Sequence, residues 1–206
     1  MTNSSRSQLI QAGLRLYPQY GYRKLSVRLL AAEAGLSAGM FHHAFADKNT
    51  FLMELLQEKY NRSFGLVAFD SHTDIPAVKR LRESVWQLAV CLRDNLEWVH
   101  RVLADSADGA EVVDEFLRAR FGRFSDGLLS LLNESSGGRL TLSEQILRLT
   151  YLNGSVFAPM IIGTRLNNMG VLPEPVSGKI SEVLENAAIA QRIEWSFSVL
   201  FPHDKA

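Results

Sequence analysis

The sequence predicts an all-α protein: a small N-terminal domain of three short helices over residues 1–50, then a larger helical domain over 51–206. Three observations predict this. Apolar residues recur at three- and four-residue intervals along most of the chain, Gly and Ser or Asp punctuate the first fifty residues where helices would stop and start, and no stretch alternates as a half-buried strand does. With 206 residues, 47% of them hydrophobic and 21% charged, the chain has an ordinary globular composition and can bury a sizeable core.

Taken in order, the polar residues 1–5 are expected to fray. A first helix over 5–20 would bury Leu9, Ile10, Leu14 and Tyr17, with a bend at Pro18 and a turn at Gly21. Ser26 suits an N-cap, and Val27, Leu30, Ala31 and Ala34 keep a helical period that ends at Gly35, a residue fit for the left-handed position after a helix. Leu36 then turns inward and Ser37 caps a third helix over 38–46. That helix places Phe41 and Phe45 on one face and Ser37, Ala38, Met40, His42 and His43 on the other. Two helices joined by a short turn containing Gly form a helix-turn-helix, whose second helix can enter a DNA major groove. The pattern alone also fits helical hairpins that never touch DNA.

Asp47 reads as the N-cap of a fourth helix over 48–69, with Phe51, Leu52, Leu55, Leu56 and Tyr60 inward. It starts in the small domain and ends in the large one, as a lever would. A break at 72–75 precedes helix 5 over 75–95, with Pro76 in its first turn, and helix 6 follows over 96–105. Asp108-Gly109 opens helix 7 over 110–134, and Ser135-Ser136-Gly137-Gly138 forms a loop. Helix 8 over 143–168 should bend at Pro159, and after a Pro- and Gly-rich loop over 170–178 the last helix spans 179–201. In these last two helices apolar residues occupy more than one stripe, which calls for cover on more than one side. A second copy would supply it, with Leu149, Leu152, Val156, Val183, Leu184, Ala187 and Ala190 as interface candidates; the alternative is a monomer's core.

The net charge is zero, but residues 1–62 hold 8 Lys or Arg against 4 Asp or Glu, whereas residues 63–206 hold 14 against 18. A cationic head beside an acidic body suits contact with a polyanion at one end only. Cys91 is the only cysteine, so no internal disulfide forms and a reducing cytoplasm is the expected location. No apolar run approaches the ~18 to 20 residues of a membrane span, and no membrane partner is expected. His42 and His43 are adjacent and point about 100° apart on a helix, so they do not form the i, i+4 pair of a metal site, while His72, His100 and His203 stand alone. Without a phosphate-binding Gly loop, paired cysteines or a nucleophile elbow, no catalytic residue, metal or cofactor is expected, and the chain reads as not an enzyme.

The run from Arg6 to Leu56 resembles the DNA-binding domain of the TetR family of bacterial transcriptional regulators. The resemblance rests on Leu9, Ile10, Ala12, Leu14, Leu16 and Tyr17, then Gly21-Tyr22, Ser26-Val27-Arg28, the run Ala31-Ala32-Glu33-Ala34-Gly35-Leu36-Ser37, Gly39, Phe45 and Lys48. It implies a homodimer paired through the last two long helices and released by a small-molecule effector; two-fold pairing predicts a double-stranded, pseudo-palindromic operator, and repression is the default expectation because a dimer on a promoter can block polymerase. Ser26, Arg28, His42 and Lys48 would then meet phosphates, with Val27, Ser37 and Gly39 alongside and Ala38, Met40 and His43 at base edges; Arg28 could instead reach a guanine. The chain departs from the family's usual residues at Ala38, Met40 and His42, where Lys, Thr and a phosphate-binding Tyr are common. An apolar or aromatic effector would suit a lining drawn from Trp86, Trp98, His100, Phe116, Phe121, Phe124, Tyr151, Asn153 and Phe157, against the alternative that these rings only fill the core. Rivals in other classes are a carrier or enzyme of small apolar molecules and a partner-binding module with a degenerate reading helix.

Overall fold

Two units emerge from the packing of the chain, one made of Met1–Leu66 with Glu97–Arg120, the other of Val67–Leu96 with Phe121–Ala206. The computed structural model describes residues 2–67, 69 and 74–202, and every regular element among them is helical. His72 and His203 lie outside the described residues.

In the first unit α1 (Thr2–Lys24) is already helical at Thr2, where fraying was expected, and it passes Pro18 without leaving helical angles. The break falls at Gly21, with φ 64° and ψ 178°, a conformation open to glycine and costly for residues bearing a Cβ. Short polar side chains then set the starts of the next helices. Ser26 Oγ accepts the Leu29 N–H at 3.1 Å to begin α2 (Val27–Glu33), and Asp47 Oδ1 accepts the Thr50 N–H at 2.7 Å to begin α4 (Lys48–Ser63). Gly35, at φ 68°, turns the chain from α2 toward α3 (Ala38–Ala44). Ser37 occupies the N-cap position of α3 but its side chain makes no capping bond, contrary to expectation.

Leu9, Leu30, Phe41, Phe51, Leu52 and Leu55 are buried together in this unit. The Phe41, Phe45 and Phe51 rings meet with centroids 5.0–5.5 Å apart. Each such side chain contributes roughly 1.5–3 kcal/mol on burial, so this cluster is the main reason three helices of few turns hold their places. Below it, α4 ends at Ser63 in a 3₁₀ turn, Phe64–Leu66, short of residue 69. α6 (Leu96–Ala107) packs on α1 through Trp98 and Tyr17, whose centroids are 5.0 Å apart. The start of α7 (Glu111–Ser135) packs on α4 through Phe116 and Tyr60, at 6.2 Å.

The second unit packs α5 (Ala77–Asp94), α8 (Leu142–Leu152) and α11 (Asn186–Leu200) around Leu81, Val85, Leu152, Val156, Ile189, Ile193 and Phe197. Pro76 stands just before α5, as its N-cap, where its missing N–H costs nothing. α8 starts with a reciprocal capping box between Thr141 and Glu144. It then loosens into two π-helical segments, Asn153–Phe157 and Pro159–Gly163, and continues through α9 (Thr164–Asn168), with a bend of 41° at the Pro159 break. The last helix is shorter than its apolar pattern suggested. After α10 (Val176–Lys179), residues Ile180–Leu184 form a 3₁₀ segment and Glu185 is extended before α11 begins. Among the described residues no single helix is long and apolar enough to cross a membrane.

Candidate nucleic-acid interface

The buried faces of Phe41 and Phe45 decide which side of α3 looks outward. Ser37, Ala38, Gly39, Met40, His42 and His43 are all exposed, as are Ser26 and Arg28 at the start of α2, with Val27 half-buried beside them. Arg6 locks this face in place from below. Its guanidinium donates to the Ala44 carbonyl, pairs with Glu54 of α4 and lies 4.4 Å from the Phe45 ring centroid. The hydrogen bonds to Glu54 hold Arg6 above its ordinary pKa, so it stays a cation throughout. Arg15 of α1 similarly pairs with Glu33 of α2 at 2.7 Å.

Lys48 turns back into the domain. Its Nζ donates to the Tyr22 carbonyl and sits 4.3 Å from the Tyr22 ring centroid, while the Tyr22 hydroxyl donates to Asn49 Oδ1 at 2.7 Å. Burial holds the Lys48 ammonium below its ordinary range, with the Asp105 carboxylate opposing that shift.

Asp105 of α6 is only 3% exposed. Its Oδ2 accepts the Tyr22 backbone N–H at 2.8 Å, and its Oδ1 faces Arg101 Nη1 at 3.5 Å. A Cβ on Gly21 would stand 2.8 Å from that Oδ1 and 2.6 Å from Arg101 Nη1, so glycine admits the contact as well as the turn. Burial, and then the nearby carboxylate, push the Tyr17 phenol above its ordinary pKa. Arg23 Nη2 reaches the Asp108 carbonyl at 2.7 Å. Neither Asp105 nor Arg6 stands out in the sequence, because neither belongs to a local motif.

The aromatic and polar side chains considered for an effector fall in both units. Trp98 and Phe116 are buried on α1 and α4, and His100 is half-buried in the same unit. In the other unit Phe157 is buried, Trp86 and Asn153 are half-buried, Phe124 packs edge-on against Phe69, and Phe121 and Tyr151 are exposed. Of the interface candidates, Leu152 and Val156 are fully buried within the chain, Leu149, Val183, Leu184 and Ala190 are half-buried, and Ala187 is exposed. The large apolar side chains left outside on α8 and α11 are Leu142, Ile146, Leu147, at 68% exposure, Tyr151, Trp195 and Val199, the last two at 62%.

Residues 9–55 match the family model described as bacterial regulatory proteins, tetR family. A helix-turn-helix-type transcriptional repressor of Mycobacterium tuberculosis is 35% identical over 57 residues, which is 28% of this chain and 30% of that protein. The alignment thus spans less than a third of the curated relative's length. Among solved structures, a flavonoid-responsive regulator named FrrA superposes with a TM-score of 0.68 at 17% identity, covering 98% of each chain. The hemolysin II regulator HlyIIR gives 0.61 at 17% identity, over 90% of this chain and 99% of that one. A structure from Mesorhizobium loti assigned to the TetR-family regulators gives 0.64 at 17% identity, over 97% and 98%. At such identities the superpositions speak for the fold, which matches along almost the whole chain, while the family model speaks for the head. Over residues 9–55 the N-terminal domain is similar to the tetR family of bacterial regulatory proteins.

Proposed function

We propose that this protein is a DNA-binding transcriptional regulator of the cytoplasm, which acts as a homodimer on a pseudo-palindromic operator, represses by occupying it, and is released by a small apolar or aromatic molecule. The observation that carries this reading is the exposed face of α3, held by a buried Phe cluster and by Arg6, within a domain that matches the family model.

In this reading α3 lies in the major groove with Ala38, Met40 and His43 toward base edges. Ser26, Arg28, Ser37 and His42 meet the backbone beside Val27 and Gly39, and Lys48 contacts a phosphate only if it swings away from Tyr22. One such helix reads few base pairs, so two copies are needed for selectivity, and their two-fold axis is mirrored in the operator. The apolar side chains exposed on α8 and α11 support pairing there. Ala187, Gln191, Trp195 and Val199 recur every fourth residue along α11, all exposed, and Leu147 and Tyr151 do so on α8. Repression follows most simply from occupancy, since a dimer on a promoter blocks polymerase with no further contact. An aromatic effector accords with the half-buried Trp86 and Phe124 and with the fold shared with a flavonoid-responsive regulator.

The test is selection from a random duplex pool by the purified protein at about 0.15 M salt, where non-specific binding is already weak. A two-fold symmetric site should be enriched. Enrichment of no site would overturn the reading and favour a helical binding protein with a degenerate head.

A further inference from the structure

The exposed face of α3 is chemically unusual for a surface that selects a DNA sequence. The residues presented are Ser37, Ala38, Gly39, Met40, His42 and His43, with no Arg, Lys, Asn, Gln, Asp or Glu anywhere from Ser37 to Phe45. The side chains that make two-pronged hydrogen bonds to guanine or adenine are therefore absent from this helix. At its centre stands Met40, 36% exposed, one residue before the fully buried Phe41. Its flexible thioether chain is anchored at its base by a helix that Arg6 and the Phe cluster hold still. Ala38 beside it adds only a methyl group, and Gly39 adds nothing that would hold the helix away from its target.

An apolar group facing a major groove has one favourable partner there. Among the four bases thymine alone projects a methyl group, on C5, at that edge. We infer that Met40, with Ala38, selects the operator by contact with thymine C5 methyl groups, so that each half-site has a thymine facing α3. The inference rests on the DNA-reading function proposed above and deepens it, naming the chemical group recognised and Met40 as a specificity-determining residue. Any hydrogen bond from α3 to a base edge then falls to the His43 imidazole.

The experiment uses the full-length protein and the duplex enriched from an unmethylated random pool, in which thymine is the only source of a C5 methyl. Each thymidine of the half-site is replaced in turn by deoxyuridine, which keeps the pairing edge and the O4 acceptor and loses only the methyl. Binding of the wild type should weaken about fourfold per half-site at one or two positions, the loss expected for one buried methyl-sized group. With Met40→Ala, a change at an exposed position, the same deoxyuridine substitutions should cost less than twofold. A symmetric site that tolerates deoxyuridine everywhere, or a penalty undiminished by Met40→Ala, overturns the inference and leaves the DNA-reading function standing. Failure to enrich any site overturns the DNA-reading function itself.

Discussion

Asp105 of α6 accepts the backbone N–H of Tyr22 at 2.8 Å, joining two residues 83 positions apart. Tyr22 is the first residue after the Gly21 break, at the foot of the helical pair that presents α3. A buried carboxylate in this place holds the turn from outside the three-helix head, and it is balanced by Arg101 one helical turn earlier. The head is thereby tied to α6 as well as to α4, the helix that continues out of it.

Asp105→Ala removes the acceptor of a part-buried N–H and leaves Arg101 without its counter-charge. Losing such a bond costs about 1–3 kcal/mol, which for a chain of this size lowers the melting temperature by roughly 2–12 °C. Calorimetry measures the loss, and amide exchange locates it. The Tyr22 amide should exchange faster while the amides of α11 stay protected. Uniform acceleration across the chain would mean that Asp105 supports the fold at large and has no local hold on the turn.

Gly21→Ala tests the same junction from the other side. The backbone conformation alone costs about 1–3 kcal/mol for a residue with a Cβ, and the added carbon would press on Asp105 and Arg101 as well. The expected melting temperature is below that of Asp105→Ala, because strain and a displaced carboxylate add. A Gly21→Ala protein as stable as the wild type would contradict the geometry of this turn.

Acid should loosen two helix starts in a defined order of sign. Hydrogen bonds from Thr50 hold the Asp47 carboxyl below its ordinary range, and those from Thr141 do the same for Glu144. A folded-state pKa below the unfolded one stabilises the protein at neutral pH, and that contribution is lost as pH falls from the ordinary carboxylate range, about 4, through the lower folded value. Asp47→Asn keeps a good N-cap but cannot titrate, so its stability should vary less with pH below about 4 than that of the wild type. Urea titrations at several pH values read the difference directly; parallel curves would deny the cap its charge.

Salt dependence separates Arg28 from Lys48. Arg28 is exposed beside α3, whereas the Lys48 ammonium is already engaged with the carbonyl and ring of Tyr22. Each cation that neutralises a phosphate adds about 1 to the slope of log affinity against log salt. Arg28→Ala should therefore flatten the slope by about 1, and Lys48→Ala should mainly lower stability with a smaller change of slope. An equal loss of slope in both variants would mean that Lys48 leaves Tyr22 when DNA binds.

What the sequence made legible was chiefly local chemistry. Ser26, Gly35 and Asp47 act within a few residues of themselves, and the structure has each in the role its residue type suggests. The inward side of α4 was legible for a related reason, since Phe51, Leu52, Leu55, Leu56 and Tyr60 recur at helical spacing and all are buried. Long-range partners were not. Asp105 looks like any helix-terminal carboxylate until the chain folds, and Arg6 like a surface cation until Ala44 and Glu54 come beside it. The last helix starts later than its pattern predicts because Ile180, Val183 and Leu184 continue an apolar pattern across Glu185, where the backbone is extended with neither Gly nor Pro to announce it. The π-helical widening after Leu152 likewise shifts the register of helix 8, so a face counted at 3.6 residues per turn drifts from the one observed.

That drift bears on where two copies would meet. Leu152 and Val156 are buried in the chain itself, so Leu152→Ala should cost roughly 2–5 kcal/mol of folding stability in a monomer and a dimer alike. Trp195 and Leu147 are the opposite case, large, apolar and largely exposed. A carboxylate at either position costs the isolated chain little, but within a paired surface it would be an unpartnered charge removed from water. Trp195→Glu and Leu147→Glu should therefore sediment as monomers with unchanged helix content, and should lose selective DNA binding together with pairing. If both variants remain dimeric, the subunits pair elsewhere and the exposed side chains of α8 and α11 await a different partner.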